Sequence, residues 1–182
     1  MPTNQPRSIF VLILLGIALL TVALVVRSGI AARKNPGKPI NKYARLALEQ
    51  NGVLQLSSED AEIVEKKWPG ARITETGLRF VVKAVGEGTK PKSGQELVVH
   101  YDGRLITGGK FDSSLDRGVP LTFRVGVGDV IKGWDEAFLD MRKGEKRTLI
   151  VPYWLGYGES SRGPLIPPRA TLVFEVELID IR

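Results

Sequence analysis

The sequence contains no cysteine and only one histidine, His100. Without cysteine the chain can form no disulfide framework and has no thiolate nucleophile, and one histidine cannot make a zinc or copper cluster. Nucleotide-binding motifs are also missing: there is no P-loop, and Gly86-Glu-Gly88 and Gly126-Val-Gly128 lack the third glycine of a dinucleotide loop. We interpret these two glycine pairs as turns. The sequence therefore predicts a protein that needs no metal and no cofactor.

Most of the chain also lacks an excess of positive charge. The formal net charge is +6, but residues 7–52 hold seven basic residues against one acid, while residues 53–182 hold 19 basic and 19 acidic residues. A protein that binds nucleic acid needs a clear positive excess on its folded surface. We therefore expect no nucleic acid among the partners.

The chain has 182 residues, 43% apolar and 25% charged, which suits one folded domain with an appendage. Residues 9–26 form 18 consecutive positions without a charge. As a helix this run would span about 27 Å, close to the hydrocarbon thickness of a bilayer. We expect a tail over 1–8 and a transmembrane helix or signal anchor over 9–26, with the lipid bilayer as a partner. The alternative is a cleaved signal peptide, although the run exceeds the usual apolar region of one.

Residues 27–75 are predicted to form a basic linker and a helical spacer. Asn41 can cap a short helix over 42–50 that ends at Asn51-Gly52, and Ser57 or Ser58 can cap a second helix over 59–68. Acidic residues early and lysines late in the second helix suit the helix dipole. Neither helix carries residues that indicate chemistry.

From residue 77 onward the pattern becomes strand-like. Five apolar or alternating runs are separated by Gly, Pro, Asp and Ser turns, at 78–85, 95–106, 121–125, 146–153 and 171–181. One helix interrupts them at 130–141, where Ile131, Trp134, Phe138 and Met141 form an apolar stripe. Five antiparallel strands covered by one helix predict an α+β roll.

The motifs for hydrolytic chemistry are weak. A triad of His100, an aspartate such as Asp102 or Asp112, and Ser113 or Ser114 is conceivable, but residues 158–163 do not form a nucleophile elbow. His100 falls in the middle of a predicted strand, which favours a hydrogen-bonded structural histidine. A serine hydrolase is therefore a distant alternative.

Several ring-bearing and aliphatic residues lie near turns beside isolated polar groups, and composition alone is compatible with an ordinary core for them. Their order, however, resembles one family. VVHYDGRL, GKFDSSLDRG, VGDVIKGWDEAF, LGYG and LIPPRATLVFEVEL are similar to segments of the FKBP-type peptidyl-prolyl cis-trans isomerases, the macrolide-binding immunophilins. The resemblance covers residues 76–182, which we take as the domain. It implies a bent five-stranded antiparallel sheet wrapped around one short helix.

The resemblance also implies roles for single residues. Trp134 would form the floor of an apolar pocket, and Asp112 would accept hydrogen bonds from Tyr101 and Arg117. The Ile131 backbone NH and the Tyr157 hydroxyl would bind substrate carbonyls. The implied catalytic residues are Tyr101, Phe111, Asp112, Ile131, Trp134, Tyr157 and Phe174, and the implied substrate-binding residues are Arg117, Leu121, Phe123, Val130, Arg162 and Ile166.

Two positions depart from the common pattern of the family. Leu121 stands where an aromatic residue often lies, and Arg162 stands where a histidine is frequent. We expect an altered sequence preference and weaker macrolide contacts, with the chemistry intact. The pair Tyr153-Trp154 is also unusual, and we expect it to add exposed aromatic area.

The predicted function is that of a membrane-anchored prolyl isomerase, with unfolded or nascent Xaa-Pro-containing proteins as substrates and macrolides as a further ligand class. The main alternative is a module that binds a proline-containing loop, or acts as a chaperone, without turnover. The basic residues after the anchor place the domain in the cytoplasm by the positive-inside rule. Anchored members of the family favour the extracytoplasmic (periplasmic) side, which we adopt as the expectation.

Overall fold

The structure of the protein is a computed structural model that describes residues 56–182. The predicted anchor at 9–26 and the predicted helix at 42–50 lie outside the described residues. Between residues 56 and 182 the structure contains no helix that is long and apolar enough to cross a membrane.

A single antiparallel sheet dominates the described residues. Its strands are β1 (Arg72–Ile73), β2 (Arg79–Ala84), β3 (Glu96–Leu105), β4 (Lys110–Ser113), β5 (Leu121–Arg124), β6 (Lys146–Val151) and β7 (Leu172–Ile181). The strands are ordered β1-β2-β6-β7-β3-β4, and β5 pairs with β3. The prediction of five strands was therefore two strands short, since it missed β1, of two residues, and β4, of four. Two residues cannot show an alternation, and β4 contains one apolar residue, whereas the run that marked β5 contains three.

The helices are α1 (Ser58–Lys67), α2 (Ser114–Arg117) and α3 (Lys132–Asp140), with a 3-10 turn at Tyr153–Leu155. The prediction of one helix inside the domain is correct for α3 but missed the four-residue α2. The predicted second spacer helix is confirmed as α1. Its N-cap is Ser57, whose side chain accepts a hydrogen bond from the Asp60 amide at 3.1 Å.

Side chains of each central strand point alternately to two faces of the sheet. On β7, Leu172, Phe174 and Val176 belong to the main core with α3, whereas Val173 belongs to a second, smaller cluster. On the main-core side α3 buries Trp134 and Phe138. We call this the inner face of the sheet.

The opposite, outer face is covered by α1. Val64 of that helix is 4% exposed and packs with Ile106, Ile150 and Val173. Partly buried residues extend this cluster on the helical side, among them Ile63 and Trp68 of the α1 region. The spacer therefore contributes packing to the sheet.

The expectation for Tyr153-Trp154 was wrong. Tyr153 is only 7% exposed, and Trp154 is partly buried with its indole Nε1 donating to the Thr76 carbonyl at 2.9 Å. The two rings contact each other edge to face at 5.1 Å. Through this hydrogen bond the pair connects Thr76, near the start of the domain, to the turn after β6, and it offers little exposed aromatic area.

Candidate functional site

Trp134 lies at the centre of a group of aromatic rings on the inner face. It is 4% exposed, and its ring lies edge to face with Tyr101 at 5.0 Å and with Phe174 at 5.1 Å between centroids. Phe111 continues the group through Phe174 at 5.6 Å, and Phe123 lies 5.9 Å from the indole. Among the buried polar side-chain atoms of the described residues, Trp134 Nε1 is the one without a hydrogen-bond partner. The buried centre of the group therefore keeps an unused donor.

A hydrogen-bonded network borders these rings on one side. The Tyr101 hydroxyl and the Arg117 guanidinium both donate to Asp112, one to each carboxylate oxygen. Arg117 also donates from Nη2 to the Tyr101 hydroxyl oxygen at 2.9 Å. These are the contacts that the resemblance implied.

The network fixes the charge state of its members. Burial opposes ionisation of Asp112, but hydrogen bonds from Tyr101 and Arg117 outweigh it and hold the pKa of this carboxyl below its ordinary value. Burial, with the neighbouring Asp112, raises the pKa of the Tyr101 phenol. At neutral pH the network therefore contains a carboxylate, a guanidinium and a neutral phenol, whose charges cancel.

The backbone of Tyr101 is held from the far side by Ser114. The Tyr101 amide donates to Ser114 Oγ at 2.8 Å, and His100 Nδ1 lies 2.9 Å from the same oxygen. Ser114 is completely buried, so no substrate can reach its hydroxyl. His100 is thus a structural residue that supports Tyr101, and the geometry does not favour a serine hydrolase. Sequence analysis did not identify this support, because the hydrogen bonds join residues of β3 and α2 that are 13 and 14 positions apart in the sequence.

Val130 and Ile131 lead into α3 and pack, partly buried, against the main core. Their position depends on Asp135, whose carboxylate accepts hydrogen bonds from the amides of Gly126 at 2.8 Å and Gly128 at 3.0 Å. In the described residues no hydrogen bond uses the Ile131 amide. This amide is therefore available to bind a carbonyl. Asp135 is a positioning residue that the sequence alone did not indicate.

The segment between the 3-10 turn and β7 supplies the remaining predicted residues. Tyr157 is 38% exposed, and burial raises the pKa of its phenol while Arg162 opposes the shift. The Arg162 amide donates to the carbonyl of Ile166 at 2.9 Å, and Ile166 is buried in the main core. On β5, Phe123 is buried, and Leu121, paired with Val99 of β3, is partly buried against the same core.

Gly103 is a site residue that sequence analysis missed. A Cβ atom at this position would lie 2.9 Å from the Phe111 ring and 3.0 Å from the Phe174 ring. The glycine therefore allows both rings to approach β3. A glycine inside a predicted strand was the available signal, since it often marks a close approach.

The structure brings all thirteen predicted residues into one region. Nine of them belong to the main core or pack against it. Asp112 and Arg117 join it through Tyr101, Tyr157 is within electrostatic range of Asp112, and Arg162 adjoins Tyr157.

Two cavities, of about 540 and 170 Å³, lie beside α1, and neither includes Trp134 in its lining. We assign the site to the aromatic group, because there the buried rings adjoin both the Asp112 network and the unused Ile131 amide. Residues 56–182 contain no group of three His, Asp or Glu side chains that could hold a metal ion.

Comparisons with known proteins agree with this geometry. The family model described as FKBP-type peptidyl-prolyl cis-trans isomerase matches residues 87–179. The FK506-binding protein of Neisseria meningitidis serogroup B is 55% identical over 96 residues, which are 53% of this chain and 88% of that protein. Peptidyl-prolyl cis-trans isomerase FKBP2 of Mus musculus is 53% identical over 92 residues, 50% of this chain and 66% of that protein. The crystal structure of AtFKBP13 superposes with a TM-score of 0.60 at 44% identity, covering 62% of this chain and 98% of that one.

Proposed function

The chain belongs to the FKBP-type peptidyl-prolyl cis-trans isomerase family, and from this premise we infer that its aromatic site turns Xaa-Pro bonds of protein substrates by removing the amide from water. Trp134 and its ring neighbours supply the apolar surface, and the Asp112 network borders it. The observation that carries the proposal is the convergence of these two features on the inner face of one sheet.

Rotation about an Xaa-Pro bond must cross a barrier of roughly 18–20 kcal/mol, because the amide loses resonance when it twists. The planar amide has more charge separation between its oxygen and nitrogen than the twisted one. An apolar environment therefore destabilises the planar form more than the twisted form, which lowers the barrier. No proton is transferred, and no covalent bond is formed or broken.

The polar groups of the site then act by holding the substrate. The Ile131 amide is available to bind one backbone carbonyl, and the Tyr157 hydroxyl makes no hydrogen bond with other described residues. Fixing the flanking backbone while the central bond turns adds preorganisation. Arg117 balances the charge of Asp112, so this network adds no net charge that would favour the planar, more polar amide.

The test is isomerisation of a short Xaa-Pro peptide by the full chain, kept in solution with mild detergent and followed by NMR exchange. We expect Phe111→Ala and Asp112→Ala to lower kcat/KM at least tenfold, or about 1.4 kcal/mol of transition-state stabilisation, while the domain stays folded. Phe111→Ala removes part of the apolar wall, and Asp112→Ala leaves Tyr101 and Arg117 without their acceptor.

Two matched variants serve as controls. Val85→Ala shortens an apolar side chain that is 83% exposed, and Asp180→Ala removes a carboxylate that pairs with Lys143 at 2.6 Å outside the site. Both should keep the activity of the unmodified chain. Wild-type rates in the two site variants would contradict the assigned roles, and tight peptide binding without turnover in the unmodified chain would favour the non-catalytic binding module.

We further propose that the protein assists folding of unfolded or newly exported chains from a membrane-anchored position on the extracytoplasmic side. The uncharged run at 9–26 supports an anchor. The test is protease digestion of intact cells and of opened vesicles with detection of the domain. Digestion in intact cells or spheroplasts supports the extracytoplasmic side, and digestion only after opening places the domain in the cytoplasm.

A further inference from the structure

Arg162 is held at the edge of the aromatic site by its own backbone. Its amide donates to the carbonyl of Ile166 at 2.9 Å, and the two residues form an isolated antiparallel bridge. Because the Ile166 side chain is buried in the main core, the bridge fixes the loop against the domain. The Arg162 guanidinium then lies 5.7 Å from the centroid of the Tyr157 ring.

The charge of Arg162 is not balanced by a neighbour. Two other arginines around the site have carboxylate partners: Arg117 pairs with Asp112, and Arg124 lies 3.5 Å from Asp129. Among residues 56–182, no carboxylate lies within ion-pair distance of Arg162. The nearby Glu159 lies instead 3.9 Å from Arg169. The Tyr157 side of the site therefore presents one uncompensated positive charge.

The surroundings of this charge make it suited to recognise a peptide. Tyr157 stacks beneath the guanidinium, and Leu165, which is 56% exposed, lies in the same loop. A planar guanidinium backed by a ring keeps its five donors in a fixed fork that matches a carboxylate. Two residues of extended chain span about 7 Å, so an acidic side chain near the bound proline is within reach of an arginine.

We propose that Arg162 gives this isomerase a preference for Xaa-Pro segments with a glutamate or aspartate within two residues of the proline. The proposal rests on the proposed function and specifies its substrate class. Ion pairs between exposed side chains are weak, and we expect a preference of about threefold in kcat/KM over the matched amide. The preference should decrease as salt is raised towards 1 M, because salt screens exposed charges.

The experiment uses four pairs of peptides that differ only by Glu or Gln, placed two residues before, one before, one after or two after the proline. The full chain is compared with Arg162→Gln, Arg162→Glu and Arg162→Lys. At one position or more the unmodified chain should turn over the Glu peptide about threefold faster than the Gln peptide. The ratio should fall to about one in Arg162→Gln, fall below one in Arg162→Glu, and stay above two in Arg162→Lys.

Lys83→Gln is the matched control, since it removes the same charge from an exposed side chain of β2, a strand that β6 and β7 separate from β3. It should leave the Glu/Gln ratio unchanged. A wild-type ratio near one at all four positions would overturn the proposal, and so would a preference that persists in Arg162→Gln. Absence of turnover with every peptide, including the Gln series, would instead refute the proposed function.

Discussion

Asp112 carries a full negative charge beside rings that would otherwise make the site entirely apolar. Two donors stabilise that charge, and the Arg117 guanidinium also cancels it. The same carboxylate orients the Tyr101 hydroxyl, while the Tyr101 ring packs on Trp134 at 5.0 Å. One polar residue therefore positions an apolar wall.

The low pKa of Asp112 makes a pH dependence testable. Because the folded state lowers this pKa, the network is intact above the ordinary aspartate value of about 3.9 and is lost as pH falls through the lower folded value. We expect kcat/KM to be constant from about pH 5 to 8 and to fall below about pH 4. Asp112→Asn should be about tenfold less active at pH 7 and should lack this acid decrease. NMR exchange measures the rates, circular dichroism monitors folding at each pH, and the same acid decrease in the variant would contradict the assignment.

At the scale of single residues, the sequence predicted the members of the site through resemblance and not through pattern. Periodicity places Tyr101 on a strand, but it says nothing about Asp112, which lies eleven residues along the chain. The same limit applies to Ser114, Asp135 and Gly103, whose roles depend on distances between elements. Their roles could be recognised only in the folded structure, where the distances between the elements are known.

Among the elements, five strands and the helices α1 and α3 were predictable, because an apolar pattern or a capping residue marks each of them in the sequence. Five strand runs and α1 with its serine cap were found where the sequence placed them. The pair at 153 and 154 was misjudged, because a turn after a strand looks exposed in sequence. In the folded chain Tyr153 is buried, and the Arg169 guanidinium stacks on its ring at 4.7 Å.

Strand β3 allows a direct test of ring packing. Gly103→Ala would bring a methyl group within 3.0 Å of both Phe111 and Phe174. Overpacking of this kind costs about 1–3 kcal/mol, and we expect kcat/KM to fall about tenfold because the rings must move. Gly109→Ala is the control, since a Cβ atom there would meet the Leu105 side chain at 3.8 Å, an ordinary van der Waals distance. Equal activity and equal urea midpoints in the two variants would contradict the packing argument.

Helix α1 allows a second test, on the outer face. Val64→Ala removes two carbons from a side chain that is 4% exposed, and we expect unfolding in urea to become about 2 kcal/mol easier. The isomerase activity should not change, because α1 packs on the face opposite to Trp134. Glu62→Ala, an exposed position of the same helix, should change neither quantity. A loss of activity at a constant unfolding free energy would show that α1 is coupled to the site.

For the whole molecule, one sheet serves as the common wall of two apolar clusters. Leu149 and Val151 of β6 point into the main core, and Ile150 between them points to the α1 cluster. A buried ion pair closes one end of the main core, where Arg147 donates to Glu145 at 2.6 Å and stacks on Phe80 at 4.5 Å. The stability of the domain therefore depends on both faces.

Surface ion pairs predict how this stability responds to acid. Burial opposes ionisation of Asp102 and of Asp140. Hydrogen bonds outweigh this effect, mainly the one from Lys110 to Asp102 and the one from Lys90 to Asp140, so the pKa of each carboxyl is lowered. Their stabilisation is present above about pH 4 and is lost as pH falls through the lowered values. We expect a constant urea midpoint from about pH 5 to 8 and a decrease below about pH 4. Asp102→Asn should show a smaller decrease than the unmodified chain, and an equal decrease would refute this contribution.

The position of α1 on the outer face of the sheet has a practical consequence. Leu56, which precedes α1, packs against the cluster around Val64 on the face of the sheet opposite to Trp134. An affinity handle or biosensor linker joined immediately before α1 would hold the domain from the face of the sheet opposite to the aromatic site. The immobilised protein would then keep its catalytic side free to meet large, partly folded clients.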